Sequence, residues 1–331
     1  MSSTFYRVMR TQPPVEVGPS NTVIKNMRGD ALEMTVFFVG KGEAILLRRH
    51  NKALLIDAGV GRGSIGVALG EKIADYIRNP DDDPNSTGPG LSLVGIISSH
   101  PHVDHINAAP TILGMVGSTN LSPTAKYYYN GFDVGVSLKP ALDAAVKNAF
   151  DNAKPVGGSA GGAHTNNSPI VPPLSSDVTI RIAVEHDSQF EPEQKYRSIF
   201  MKLRFRKAKF IFTGDANKKY ETQMLNLLPE SSHKQDLLKI THHGSSDGTG
   251  DTFVEKTQPR ISVASSDAAS SHRLEQDVRD RLAPYGVVFD THTVDGDIIV
   301  RTDGKRRRLD GKYGILYEIE ESSPGRVMPS I

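Results

Sequence analysis

Three histidines and an aspartate fall within six positions in Ser98-Ser99-His100-Pro101-His102-Val103-Asp104-His105, directly after the apolar run Leu93 to Ile97. Imidazole nitrogens and carboxylate oxygens are ligands that Zn²⁺, Mn²⁺ and Fe²⁺ accept, provided they are deprotonated. The chain contains no cysteine, which excludes thiolate zinc sites and disulfides. A strand ending at Ser98 or Ser99 releases a loop in which His100 and His102 can face one centre, while the adjacent Asp104 and His105 diverge toward a second. Such a split suits two cations roughly 3.5 to 4 Å apart that share a hydroxide and clamp an in-line displacement. A lone loop histidine would carry little weight, but the four residues at this spacing read as a metal site.

The elements that must hold this loop come next. With 331 residues the chain can bury a large core. Its formal net charge of +1 gives no global field that would argue for nucleic acid or a membrane. No run approaches the roughly 20 apolar residues of a membrane span, and Met1 to Gly29 lacks a signal-peptide core, so the expectation is a soluble, cytoplasmic protein with no membrane partner. Alternation and turn signals predict strands over Met34 to Phe38, Ala44 to Arg48 and Ala53 to Ile56, an antiparallel opening that ends at Asp57-Ala58-Gly59. Helical spacing marks Gly63 to Arg78, Ile106 to Leu113 and the proline-led Pro140 to Phe150. Tyr127 to Tyr129 and Val178 to Val184 read as strands. Pro155 to Pro173, rich in Gly, Ser, Asn and Pro, reads as a long loop and a candidate substrate flap. A hairpin over Ser198 to Phe212 delivers Thr213-Gly214-Asp215-Ala216, and the strand Leu237 to Ile240 delivers Thr241-His242-His243-Gly244-Ser245.

His-x-His-x-Asp-His, Thr-Gly-Asp and His-His-Gly-Ser together resemble the metallo-β-lactamase superfamily. With Val39-Gly40-Lys41-Gly42-Glu43-Ala44 and Pro259 to Ser265, they resemble more narrowly the hydrolase domain of ComEC-type DNA-uptake proteins. The resemblance runs from about Leu32 to Gly304. It implies an α/β fold, an αββα sandwich of two mixed sheets flanked by helices, with the metals at one edge. It places a lead-in at residues 1–31, one hydrolase domain over 32–320 and a tail at 321–331, with Thr291 to Gly304 as a closing hairpin turning at Asp295-Gly296-Asp297. Two departures stand out: Phe38-Val39-Gly40-Lys41-Gly42 replaces the family's Asp-Val-Gly-Gln-Gly. The third histidine found in many members has no clear counterpart, with His164 and His186 as candidates.

By the same resemblance Asp57 braces the metal loop, although an Asp-Gly turn would need no chemistry. Asp215 would bridge two divalent ions, Zn²⁺ or Mn²⁺, although a helix cap would also explain it. His100 and His102 would hold one ion, and Asp104, His105 and His242 the other. His243 would donate to the developing charge, and His272 and Ser245 would hold a phosphate. The expected activity is metal-dependent hydrolysis, most readily of a phosphodiester in DNA or RNA, with Arg204, Arg206, Lys207, Lys209 and Lys305 to Arg308 meeting backbone phosphates. A small phosphodiester, lactone or thioester is the alternative substrate, and a non-catalytic metal-binding module is the alternative class.

Overall fold

The structure, a computed structural model, describes residues 4–9, 15–17, 30–61, 64–80, 90–130, 139–150, 153–155, 174–184, 196–267, 272–309 and 312–321. The first half runs β1 (Thr4–Met9), β2 (Val15–Val17), β3 (Leu32–Val36), β4 (Ala44–Arg49), β5 (Lys52–Ala58), α1 (Ser64–Arg78), β6 (Ser92–Ser98), α2 (Val103–Ile106), α3 (Ala109–Val116), β7 (Leu121–Tyr129), α4 (Lys139–Ala149) and β8 (Ala153–Pro155). The second runs β9 (Val178–Ala183), β10 (Phe200–Phe205), β11 (Ala208–Phe212), α5 (Lys218–Asn226), β12 (Leu237–Lys239), α6 (Asp251–Thr257), β13 (Ile261–Ala264), α7 (Gln276–Leu282) and β14 (Val287–Asp290). It closes with α8 (Thr291–Val294), β15 (Ile298–Thr302), β16 (Arg306–Leu309) and β17 (Lys312–Glu321).

These strands form two mixed sheets. The larger has the order β2-β1-β17-β15-β3-β4-β5-β6-β7-β8, with β16 on β17, and the smaller β14-β13-β12-β11-β10-β9. Strand alternation splits the apolar residues into three cores. Met34, Leu47, Leu54 and Ile56 meet Ile180, Leu203 and Phe210 between the sheets. Leu46, Leu55 and Ile96 pack outward against Ile73, Ile77 and Ile112 of α1 and α3. Ile211 and Leu238 pack on the opposite outside against Tyr220, Phe253 and Val278 of α5, α6 and α7. The result is the four-layer αββα sandwich. β4, β5 and β6, covered on both faces, carry near-continuous apolar runs and are buried almost throughout, and β3 is buried as well although Glu33 and Thr35 alternate with its apolar residues.

β5 and β6 pair in parallel, as do β11, β12 and β13. Parallel strands release their following loops at the same end, so both sheets feed one rim. Ser99 after β6 reaches Asp57 in β5. After β12, His242 N–H donates to the Gly214 carbonyl, 3.0 Å away, after β11.

Three sequence expectations differ here. The helix over Ile106 to Leu113 is two helices, because Pro110 has no N–H to donate toward Ile106 and is tolerated only in the first turn of α3. The opening strand is Leu32–Val36, not Met34 to Phe38: Phe38 N–H leaves the ladder and donates to Asp297, 2.8 Å away. Thr291 to Gly304 is not a hairpin. Asp290 caps α8 by accepting from Thr293 N–H, Asp295 ends it in the left-handed region, and the chain crosses from β14 in one sheet to β15 in the other. β1, in the expected lead-in, pairs with β17. Among the described residues no helix is long and apolar enough to cross a membrane.

Candidate metal centre

The rim gathers residues separated by more than a hundred positions around Asp215. Thr213-Gly214 after β11 turns the chain inward, with Gly214 at φ +53° and so close to Ser198 and Ser99 that a Cβ would lie 2.8 Å from each. Asp215 N–H donates to Ser198 Oγ at 3.0 Å, leaving its carboxylate aimed at the cluster. Oδ1 lies 3.2 Å from His105 Nε2 and 3.7 Å from His243 Nε2. Oδ2 lies 3.6 Å from both His100 Nε2 and His242 Nε2. One carboxylate therefore faces two groups of imidazoles, one on each oxygen.

The supporting partners fix which ring nitrogen points inward. His105 Nδ1 is 2.8 Å from Asp57 Oδ2, and Asp57 also accepts from Ser99 N–H and Ser99 Oγ–H at 2.7 and 2.8 Å. His243 Nδ1 meets the Ser265 carbonyl at 3.1 Å, and His242 Nδ1 meets Asp247 Oδ1 at 2.7 Å. A histidine whose Nδ1–H is held this way presents Nε2 as a lone pair, the arrangement that orients metal ligands. The backbone is strained to achieve it. Asp57, His242 and His243 have φ of 55°, 50° and 56°, a region costly for residues with side chains.

Four inward atoms have no hydrogen-bond partner although buried: His100 Nε2, His105 Nε2, His243 Nε2 and Asp215 Oδ1. Each would cost roughly 1 to 3 kcal/mol if left so, yet they converge, which is what a cation would satisfy. Donor atoms lie within 4.8 Å of one another in the groups His100, His105, Asp215 and Asp104, His105, His243. This donor set of imidazoles and carboxylates fits divalent metal.

Electrostatics agree. Burial, with His105 nearby, pushes His100 well below the usual histidine range, and burial does the same to His243, so both are neutral and able to ligate. Burial would also lower His105, but Asp215 and Asp57 outweigh it and hold the imidazole well above its ordinary value. A metal held at Nε2 would supply the positive charge that the proton otherwise brings to Asp57 and Asp215. Burial works against ionised Asp215 as well, and His105, His243 and His100 overcome it, keeping the carboxylate well below its ordinary range.

The expected residues are distributed as follows. Asp104 Oδ2 is 4.0 Å from His243 Nε2 and 2.8 Å from His272 Nε2. The expectation grouped His242 with Asp104 and His105 and left His243 as donor. The geometry places His243 with Asp104 and His105, and His242 on the His100 side, because consecutive left-handed residues turn both rings inward to opposite oxygens. His102, half-buried, sits edge-on to His100 with ring centroids 4.6 Å apart, and does not belong to the tight donor groups among the described residues. Ser245 hydrogen-bonds to Asp247. His164, His186 and almost all of the expected flap lie outside the described residues.

The sequence reading missed Glu43 and Asp247. Glu43 is buried 2.5 Å from Lys239 Nζ and 3.8 Å from His243 Nδ1, its carboxyl pushed up by burial. An acid opening the apolar strand β4 was a usable signal. Asp247, in a Ser-Ser-Asp-Gly turn, gave none that it folds back on His242. The expected phosphate contacts also change: Arg206 pairs with Asp30 and Asp177, and Lys305 with Asp30.

No protein-family model matches the chain. A 56-residue stretch, 17% of the chain, is 39% identical to ComE operon protein 3 of Bacillus subtilis, and it spans 7% of that protein. Among solved structures, the chain is similar to the metallo-beta-lactamase fold protein YhfI from Bacillus subtilis, at 14% identity, 87% of this chain, 99% of that one and a TM-score of 0.49. It is similar to Zn²⁺-bound PqqB from Methylobacterium extorquens at 8% identity, 78% and 97% coverage and a TM-score of 0.43. Human tRNase Z, short form, matches at 13% identity, 69% and 91% coverage and a TM-score of 0.39.

Proposed function

We propose that the chain is a metal-dependent hydrolase of phosphodiesters, with DNA or RNA as the favoured substrate class. The observation that carries this reading is the convergence of unpartnered buried atoms from His100, His105, His243 and Asp215. His100, His242 and Asp215 Oδ2 would hold one ion, with His102 beside them, and Asp104, His105, His243 and Asp215 Oδ1 the other. Two ions such as Zn²⁺ or Mn²⁺ would bring the pKa of a shared water toward neutrality and draw charge from the scissile group.

The protein's own work is to hold the lone pairs in place. Asp57, Ser265 and Asp247 lock three rings, and burial keeps His100 and His243 free of competing protons. His272, whose Nε2 lies 2.8 Å from Asp104 Oδ2, would donate to a departing oxygen, while His243, expected to donate to the developing charge, would serve as a ligand. Neutral imidazoles with only Asp104 and Asp215 as ligating carboxylates leave a loaded site net positive. That balance favours an anionic diester over a neutral lactone or thioester.

The test is turnover of bis-p-nitrophenyl phosphate and of labelled single- and double-stranded DNA and RNA, with bound metal measured by elemental analysis. Asp215→Ala and His105→Ala should lose both metal and turnover. Full activity in a folded, metal-free variant would sink the reading.

A further inference from the structure

A second polar site lies on the outside of the smaller sheet, away from the rim. β9, β10 and β11 and the chain after α5 enclose a cavity of about 380 Å³ lined by Arg181, Lys202, Arg204, Lys209, Ser232 and Gln235, among others. No residue of the metal cluster contributes to it. Strand alternation sends Phe200, Lys202 and Arg204 of β10 to this face, and register sets Lys202 directly opposite Arg181 and Arg204 directly opposite Lys209.

Like charges facing each other across a ladder destabilise a sheet, and here two such pairs are stacked. Among the described residues no ion pair joins the side chain of any of the four to a carboxylate, although the Lys209 backbone N–H donates to Asp236 Oδ2 at 2.9 Å. Lys202 Nζ donates to the Ser232 carbonyl at 2.7 Å and Arg204 Nε to the Arg206 carbonyl at 3.0 Å, which fixes their stems but neutralises nothing. Burial, then Lys209 and Arg181, push the Lys202 amine down to about 8. Gln235 is buried, its Nε2 spent on the Ser232 and His233 carbonyls, and its Oε1 has no partner. A ligand that carries negative charge would answer the unbalanced cations.

We propose that this cavity binds a phosphate group, free or as one link of a nucleotide chain, at a place separate from the metal centre. Guanidinium forks and ammonium groups are the donors that phosphate oxygens take, and the volume suits a small ligand. The site does not depend on the hydrolase reading.

The test uses metal-loaded protein, inorganic phosphate titrated calorimetrically at fixed ionic strength, and a short labelled single-stranded oligonucleotide followed by anisotropy. Two variants, Arg181→Gln/Arg204→Gln on exposed positions and Lys202→Gln/Lys209→Gln, are compared with the parent. Removing like charges should leave the urea midpoint no lower, so folding is controlled. Phosphate held by the metals is untouched, so any loss reports the outer face. At least a tenfold weakening of phosphate in both variants supports the site with a free anion as ligand. The same loss for the oligonucleotide alone, with a shallower salt dependence, supports it with a nucleotide chain as ligand. Unchanged binding of both probes in both variants, or no binding of either by the parent, overturns it. Turnover of bis-p-nitrophenyl phosphate should not change, which separates this outcome from any failure of the metal centre.

Discussion

Asp57→Asn isolates the support of one ring nitrogen. The amide keeps the size of the carboxylate, and asparagine tolerates the left-handed backbone that Asp57 adopts at φ 55°. Asp57 Oδ1 accepts Ser99 N–H at 2.7 Å, so the amide oxygen stays there, and its NH₂ replaces Oδ2, 2.8 Å from His105 Nδ1. Two donors then face each other. His105 must either turn or move its proton to Nε2, the atom aimed at Asp215. Losing an orienting partner of this kind lowers metal affinity about 10- to 100-fold, or roughly 1.4 to 2.7 kcal/mol. Competition against a chromophoric chelator for Zn²⁺, with circular dichroism to confirm the fold, measures it. The proton on parental His105, held there by Asp57 and Asp215, competes with metal at low pH and is lost as pH rises through its raised pKa. The gap between parent and variant should therefore widen with pH. Equal affinity in a folded variant, at every pH, would refute the triad of Asp57, His105 and metal.

Glu221 anchors the loop carrying both histidines by accepting from Thr241 Oγ and from Thr249 and Gly250 N–H, and burial raises its carboxyl to about 7. The folded protein keeps that proton where the unfolded chain has lost it, so this contribution is full below the unfolded value and disappears as pH rises to about 7. Parent stability minus that of Glu221→Gln should fall by about 3 kcal/mol between about pH 4 and pH 8 in urea unfolding, and a flat difference would count against it. Gly59→Ala would put a methyl 1.5 Å from the Asp104 carbonyl. Displacement of that loop should cost several kcal/mol and weaken metal binding together, an outcome beyond a simple Gly-to-Ala entropy effect of about 1 kcal/mol. Phe210→Ala, between the sheets, should cost about 3 to 5 kcal/mol in the same unfolding assay without altering metal content. Stripping metal should lower the thermal midpoint, by the equivalent of about 4 kcal/mol when free metal had stood at a thousand times its Kd.

Local pattern carried much of the fold. β4, β5, α1, β6, α4, the β10–β11 hairpin and β12 all lie within a few residues of where apolar spacing and turn residues put them, because burial on a sheet face or helix stripe imposes those periods directly. The failures came where a distant partner decided. Asp297 draws Phe38 N–H out of the ladder from more than 250 positions away. Arg206 and Lys305, read as charges for phosphate, are drawn to Asp30, far away in sequence. A one-dimensional string does not state which acid a base will meet.

By itself the sequence determined the donor chemistry: His100, His102, Asp104 and His105 on one loop, Asp215 and the His242-His243 pair at other strand ends, in a chain without thiols. Ligand type follows from side-chain identity, and spacing on one loop follows from local geometry, so both are written in the order of residues. Only the tertiary structure decided that His243 joins Asp104 and His105 while His242 turns to His100, that Asp247 and Glu43 stand behind them, and that two like-charge pairs share an outer cavity. Those choices depend on backbone angles at a few strained positions and on contacts between strands more than a hundred residues apart, which are fixed when the two sheets pack.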